Sequence, residues 1–128
     1  MIEFSRFQVL AGDPEYVLVP TDSGRKHWVA RCPSCRTAMW NEHGSRKAVT
    51  RYVRVGTLDE PQRFPPLAHI FVRSRQPWVQ IPPDQPVFQA YYDTARAWPA
   101  ESRERLAAAK AARAAERTAR TGHGAGPE

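Results

Sequence analysis

The sequence is short of cysteine, of acidic side chains and of long apolar runs. Its 128 residues include two cysteines, and 13 Asp and Glu stand against 19 Lys and Arg. No run approaches the ~18–20 apolar residues that cross a bilayer, and residues 1–6 lack the blocks of a signal peptide. We therefore expect a cytoplasmic protein with no membrane partner. In that reducing compartment, two cysteines are expected to bind metal or do redox chemistry rather than form a structural disulfide.

The apolar and aromatic content is sufficient for one folded domain. Apolar residues make up 41% of the chain, which has four Trp, four Tyr and five Phe, whereas a disordered chain would be poor in such residues. The length allows one domain. The net charge of +6 leaves open a basic module that binds a protein or nucleic-acid partner. A solvated charged face is the simpler interpretation, so we expect no nucleic-acid partner.

Short runs rich in β-branched and aromatic residues dominate the first three quarters of the chain. Turn residues and prolines separate these runs, and proline is confined to strand edges and loops. The pattern predicts an all-β domain with antiparallel strands and irregular connections at 58–66 and 76–86. The alternation of apolar and basic residues at 49–55 has one exception, because Arg51 falls on the apolar face. The predicted strands are 7–10, 16–19, 27–30, 38–40, 48–55 and 69–72.

The composition changes near residue 95, where Ala, Arg and Glu replace the strand formers. Residues 96–121 have strong helix propensity, with acidic residues placed early, which suits the helix dipole. After Pro99 the only large apolar side chain is Leu106, so the helix has little to bury and its end should fray. We therefore divide the chain into a β domain at 1–95, a helical extension at 96–121 and a disordered tail at 122–128.

The one chemical motif is a Cys-x-x-Cys pair formed by Cys32 and Cys35. Two thiols at this spacing, at the end of a strand, can form a knuckle that directs both sulfurs at one tetrahedral zinc ion. A redox pair would need the first cysteine at a helix N-terminus, where the dipole stabilises the thiolate. The residues that follow look like another strand. We therefore favour zinc over a redox pair and over two unrelated structural thiols.

Zinc needs four ligands, or three with water, and the two cysteines supply half of such a set. The remaining ligands could come from His27, His43 or His69, or from another segment or a partner chain. Each histidine also has an ordinary structural interpretation, which we favour. His27 lies in a strand, His43 in a polar turn and His69 ahead of an apolar run.

Three runs of residues, through their sequence, order and spacing, carry a family resemblance. The chain resembles the glutathione-dependent formaldehyde-activating enzymes (GFA) and the related centromere-protein-V-like domains over about residues 7–98. Together the runs are specific, although the cysteine motif alone would be weak. They are Arg31-Cys32-Pro33-Ser34-Cys35-Arg36, then Val53-Arg54-Val55-Gly56-Thr57-Leu58-Asp59, then His69-Ile70-Phe71-Val72-Arg73-Ser74-Arg75-Gln76-Pro77-Trp78.

The resemblance implies a compact all-β domain stabilised by zinc, and the chemistry of a carbon–sulfur lyase that joins or splits a thiol and an aldehyde. It implies that Cys32 and Cys35 complete a structural zinc site with an early Cys-x-Cys. A separate Cys-x-Cys-x-x-Cys cluster would hold the catalytic zinc. The sequence contains neither early motif, so no catalytic residue is carried over. We expect the C-terminal part of a family member, inactive as given, which reflects either a misassigned start or a truncated gene.

Basic and aromatic side chains in the family-like runs are candidates for substrate contacts. Arg54, Arg73 and Arg75 would suit the two carboxylates of glutathione, although surface arginines are usually only solvated. The tryptophans Trp40, Trp78 and Trp98 could line a pocket, but a role in the core is the more common one. The expected partner is a small thiol or aldehyde, and the sequence does not specify which.

Overall fold

The computed structural model describes residues 1–44 and 48–122, and its centre is one antiparallel sheet. Five strands lie in the order β1-β5-β4-β3-β2. Strands β2 to β5 pair with their neighbours in sequence, so three consecutive hairpins build most of the sheet, and β1 adds to the far edge against β5. The strands are β1 (Ile2–Glu3), β2 (Glu15–Val19), β3 (His27–Arg31), β4 (Ala38–His43) and β5 (Thr50–Val53).

One face of this sheet holds the small core. Ala30 pairs with Trp40 across β3 and β4, and Trp40 pairs with Val53 across β4 and β5, so these side chains share a face. Ala30 and Trp40 are almost fully buried. Residues 4–7 lie against the same face, because the Phe7 ring centroid is 4.9 Å from that of Trp40. The N-terminal segment therefore covers the centre of the sheet.

A buried ion pair lies within this core. Arg51 Nε donates to Glu42 Oε1 at 2.8 Å, Glu42 is fully buried and Arg51 is 8% exposed. The guanidinium carbon of Arg51 also lies 4.3 Å from the ring centroid of Phe4 and 4.5 Å from that of Phe7. Cation–π attraction is strongest where water is excluded. This explains why Arg51 occupies the apolar face of its strand: Glu42 neutralises it and two rings cover it.

The sequence prediction of a mostly β fold with antiparallel strands is confirmed, but several predicted strands are wrong. Residues 7–10 form no strand, because Phe7 instead packs on Trp40 outside the sheet. Residues 69–72 form none either. His69 makes a single bridge to Val87, and Phe71 has a left-handed φ of 56°, which a strand does not allow. The predicted strand 48–55 shortens to Thr50–Val53, and β1 had not been predicted.

Two helices follow the sheet along the chain. The short α1 (Thr94–Ala97) is capped by Asp93, whose Oδ1 accepts from the Ala95 N–H at 2.9 Å. The long α2 (Ala100–Gly122) is bound to β1 by Arg105, whose Nε lies 3.4 Å from Glu3 Oε1. The division of the chain at residue 95 stays a prediction.

The C-terminal helix agrees broadly with the expected helical extension. The predicted disordered tail at 122–128 stays a prediction, because residues 123–128 lie outside the described residues. Neither described helix has a stretch long and apolar enough to cross a bilayer.

Removal of the charge on Glu42 is expected to destabilise the fold strongly. Glu42→Gln leaves Arg51 buried without a counter-charge, and breaking such a pair costs about 3–5 kcal/mol. Urea unfolding followed by tryptophan fluorescence measures the loss. The matched control is Glu60→Gln, which breaks the exposed pair between Glu60 and Arg63 and should leave the midpoint close to that of the parent. Equal midpoints for the two variants would contradict the structural role of the buried pair.

Candidate metal centre

The cysteine pair lies at the tip of the β3–β4 hairpin. The Cys32 N–H donates to the Thr37 carbonyl at 3.0 Å, and the Arg36 N–H donates to the Cys32 carbonyl at 2.9 Å. These two backbone hydrogen bonds close a tight turn that begins at one cysteine and passes through the other. The short connection between two antiparallel strands therefore holds both thiols on a single turn.

Three charged side chains support this turn. Arg36 has a left-handed φ of 63°, a conformation that is unfavourable for a residue with a long side chain. Arg31 Nη1 donates to the Arg36 carbonyl at 2.9 Å. The Arg36 guanidinium also binds both carboxylate oxygens of Glu15 on β2. Together these contacts hold the strained residue and connect the tip of the hairpin to the neighbouring strand.

The two sulfurs differ in exposure and both are free thiols. Cys32 is half-buried and Cys35 is exposed. Cys35 Sγ lies 3.2 Å from Thr37 Oγ1. The pKa of the Cys35 thiol is lowered, first by the Thr37 hydroxyl, then by the Thr37 backbone and the Cys32 thiol. Because zinc binds the thiolate, the turn favours the form of Cys35 that a metal requires.

The candidate histidine ligands are not near these sulfurs. His27 and His43 face each other at the opposite end of the hairpin. Cys32 follows His27 by five positions of extended chain, which is roughly 16 Å at ~3.3 Å per residue. His69 lies outside the sheet, and its Nε2 hydrogen-bonds to Gln85 Oε1. The ordinary structural interpretation therefore fits the surroundings of all three histidines.

The two sulfurs are donors of the kind that a tetrahedral zinc site uses, and they would supply two of its four ligands. Over residues 1–44 and 48–122, no group of three or more His, Cys, Asp or Glu side chains is arranged to hold a metal ion. Glu15, the acidic residue bound to the same turn, is paired with Arg36. The soft donors, their shared turn and the lowered pKa of Cys35 suit zinc. A complete site needs two further ligands.

The cysteine turn does not lead into the helix that a redox pair needs. The chain enters β4 at Ala38 after the turn, so neither Cys32 nor Cys35 begins a helix. The lowered pKa of Cys35 therefore arises from local hydrogen bonds and not from a helix dipole.

Sequence reasoning missed the contact between the two histidines. The rings of His27 and His43 are stacked with centroids 4.5 Å apart, and Asn41 Nδ2 lies 3.3 Å from His43 Nε2. His27 and His43 are nearly the same number of residues from the hairpin turn, which could have indicated that they pair. However, the register is shifted by an irregularity between Ala30 and Arg31, which no sequence pattern marks.

The candidate arginines lie in separate surroundings. The Arg54 N–H donates to the Met39 carbonyl, and its guanidinium charge acts on His27. Arg73 lies over the Phe71 ring at 5.8 Å, and Arg75 Nη1 donates to the Val79 carbonyl at 2.8 Å. No described contact brings the three arginines together around one ligand.

The tryptophans also have three different environments. Trp40 is buried, which confirms its expected core role. Trp78 is 76% exposed, so the core interpretation is wrong for this side chain. Trp98 is half-buried, donates from Nε1 to the Tyr92 hydroxyl at 2.9 Å and lines a cavity beside β1.

The family assignment follows from a family model that matches this chain. The model described as "Glutathione-dependent formaldehyde-activating enzyme" matches residues 1–74. This is more than half of the chain, so the protein belongs to that family. The matched region is the N-terminal part of this chain, residues 1–74. The sequence resemblance was expected to cover about residues 7–98. No curated protein and no solved structure matches the chain.

Acidification is expected to destabilise the hairpin through the stacked histidines. The pKa of His27 is lowered from 6.5 by burial, His43 and Arg54, and the pKa of His43 is lowered from 6.5 by burial and Arg25. As pH falls toward and below 6.5, the unfolded chain therefore binds more protons than the folded chain does. The free energy of unfolding decreases as the pH falls from 7 toward the lowered folded-state pKa values.

The measurement is urea unfolding of the parent and of the double variant His27→Phe/His43→Phe between pH 7.5 and pH 5. The double variant keeps stacked rings but cannot be protonated, so its stability should depend less on pH. His69→Gln is the control and should retain the pH dependence of the parent. If the double variant loses as much stability as the parent over this range, the stacked pair is not the cause.

Proposed function

We propose that Cys32 and Cys35 bind zinc as half of a structural site. The single observation that supports this most directly is the pair of free thiols on one turn, held by Arg31, Arg36 and Glu15. Structural zinc sites contribute folding energy when the metal binds. The metal would therefore stabilise the β3–β4 hairpin, and its two remaining ligands would come from outside the described residues.

At the level of the family, we propose carbon–sulfur lyase chemistry on a thiol and an aldehyde, with glutathione as the thiol. Zinc with an open coordination position supplies Lewis-acid stabilisation of a thiolate or an aldehyde oxygen. The contribution of this chain's residues is structural. Thr37 stabilises the Cys35 thiolate, while Arg31 and Arg36 fix the turn that carries it.

The 128 residues by themselves are proposed to be inactive. The two cysteines in the sequence are both assigned to the structural site, which leaves no thiolate for a second, catalytic zinc. A cytoplasmic location is part of the same proposal. Two unpaired thiols on an exposed turn suit a reducing compartment.

Zinc binding is expected to depend on both cysteines. Cys32→Ser and Cys35→Ser each remove one sulfur ligand and should lose the bound zinc, together with any increase in melting temperature that zinc produces. Metal content after gel filtration and thermal unfolding with and without a chelator measure the two effects. The control is Ser34→Ala, which changes the same turn without removing a ligand. Zinc content in the serine variants equal to that of the control would overturn the proposal.

The zinc-loaded chain is expected not to accelerate the addition of glutathione to formaldehyde. The uncatalysed addition supplies the background rate, and exchange NMR of the adduct measures the rate with and without protein. A rate above background that disappears in Cys32→Ser would show that these two cysteines support catalysis, contrary to the proposed structural role.

A second candidate function is a non-catalytic basic module that binds a partner. The observation in its favour is the 76% exposure of Trp78 in a segment that also carries Arg73 and Arg75, since exposed aromatic and basic side chains bind single-stranded nucleic acid. This function requires a complex that weakens steeply as salt is raised. The zinc proposal requires no such complex.

A further inference from the structure

The cysteine turn, residues 32–37, lies at one end of the β3–β4 hairpin and faces solvent. Cys32 is half-buried, and the other five residues of the turn are exposed. Two backbone hydrogen bonds close the turn, from the Cys32 N–H to the Thr37 carbonyl and from the Arg36 N–H to the Cys32 carbonyl. The turn is therefore fixed in shape and accessible to a second molecule.

The chain itself brings no third ligand to the two sulfurs within residues 1–44 and 48–122. Glu15 contacts the turn, but the Arg36 guanidinium binds both of its carboxylate oxygens. His27 and His43 lie at the opposite end of the hairpin. A zinc ion held by this turn would therefore keep two open coordination positions, which water or a second protein chain must fill.

A tetrahedral zinc site can be divided into two equal halves. Its four ligands form two pairs that a two-fold axis through the ion relates to each other, and a turn with two sulfurs supplies one pair. Assemblies of identical chains most often use such an axis, with the same patch on both copies. A second copy of the cysteine turn would therefore complete the site with the sulfur donors that structural zinc prefers.

The charges in contact with the turn favour this arrangement. Four thiolates around one divalent ion leave two net negative charges. Arg31, Arg36 and Glu15 together give each turn one net positive charge, so two copies balance the charge of the site. Arg31 Nη1 donates to the Arg36 carbonyl at 2.9 Å, which holds the Arg31 guanidinium at the turn. Without the metal, the like charges of the two turns repel each other.

We propose that one zinc ion joins two copies of this chain, with Cys32 and Cys35 of each copy as its ligands and with Arg31 and Arg36 balancing its charge. This inference rests on the proposed zinc site and names the partner that completes it. Stable interfaces made by protein alone bury about 1,200–2,000 Å², which is more than a six-residue turn offers. The metal therefore supplies most of the binding energy, and the dimer forms only when zinc is present.

The test is native mass spectrometry of the whole 128-residue chain, first free of metal and then with half an equivalent of zinc chloride per chain. The expected species contains two chains and one zinc ion, and a chelator should return it to single chains. Light scattering at several protein concentrations measures the dissociation constant of the dimer in solution.

The zinc content and the mass of the complex separate the dimer from the zinc site on which it rests. A single chain that holds one zinc ion would overturn the dimer and leave the zinc site of the proposed function in place. A chain that binds no zinc would overturn both. A dimer that survives the chelator would show that protein contacts join the copies, and it would also overturn the proposal.

Variants test the ligands and the charge separately. Cys35→Ser should give no dimer, whereas Ser34→Ala, in the same turn, should dimerise as the parent does. Arg31→Gln should weaken the dimer about threefold, and Arg31→Lys, which keeps the charge, should restore its affinity. The matched control is Arg25→Gln, which removes the same charge at the other end of β3. A zinc-bridged dimer of Cys35→Ser, or equal dissociation constants for Arg31→Gln and Arg25→Gln, would contradict the proposal.

Discussion

The arrangement of the sheet depends on the ion pair between Glu42 and Arg51. These two side chains join β4 to β5 on the covered face, and Phe4 and Phe7 lie over the guanidinium group. The N-terminal segment is therefore held to the sheet through a cation as well as through apolar contact with Trp40. Few apolar side chains of the described residues are buried. Apolar packing alone therefore contributes little to fixing the N-terminal segment against the sheet.

The same sheet determines what the cysteine turn can do. β4 contributes Glu42 to the core and, at its other end, closes the hairpin that carries Cys32 and Cys35. The turn is exposed, yet hydrogen bonds and the contact between Arg36 and Glu15 fix its backbone. This fixed backbone distinguishes the turn from an ordinary flexible loop with two cysteines.

Much of this arrangement could be predicted from the sequence, and the failures have physical causes. Alternation and turn residues were sufficient for the three hairpins, and the Cys-x-x-Cys spacing placed both cysteines on one turn, while their binding of zinc stays a prediction. Residues 7–10 have strand composition but form no strand: Phe7 packs on Trp40, which outweighs local propensity, and residues 8–10 are exposed. Arg51 broke the alternation of apolar and basic residues along its strand. It lies on the apolar face because it pairs with Glu42, which is nine positions earlier in the chain.

Strand β2 has a neighbour on one side only, since the sheet order ends with it. A free edge of this kind exposes N–H and carbonyl groups that can recruit a strand from another molecule and start aggregation. Pro14 and Pro20 stand immediately before and after β2. Neither can donate a backbone hydrogen bond, so the exposed ladder is limited to five residues. The two prolines thus limit the length of backbone that this edge of the sheet offers to a strand of another molecule.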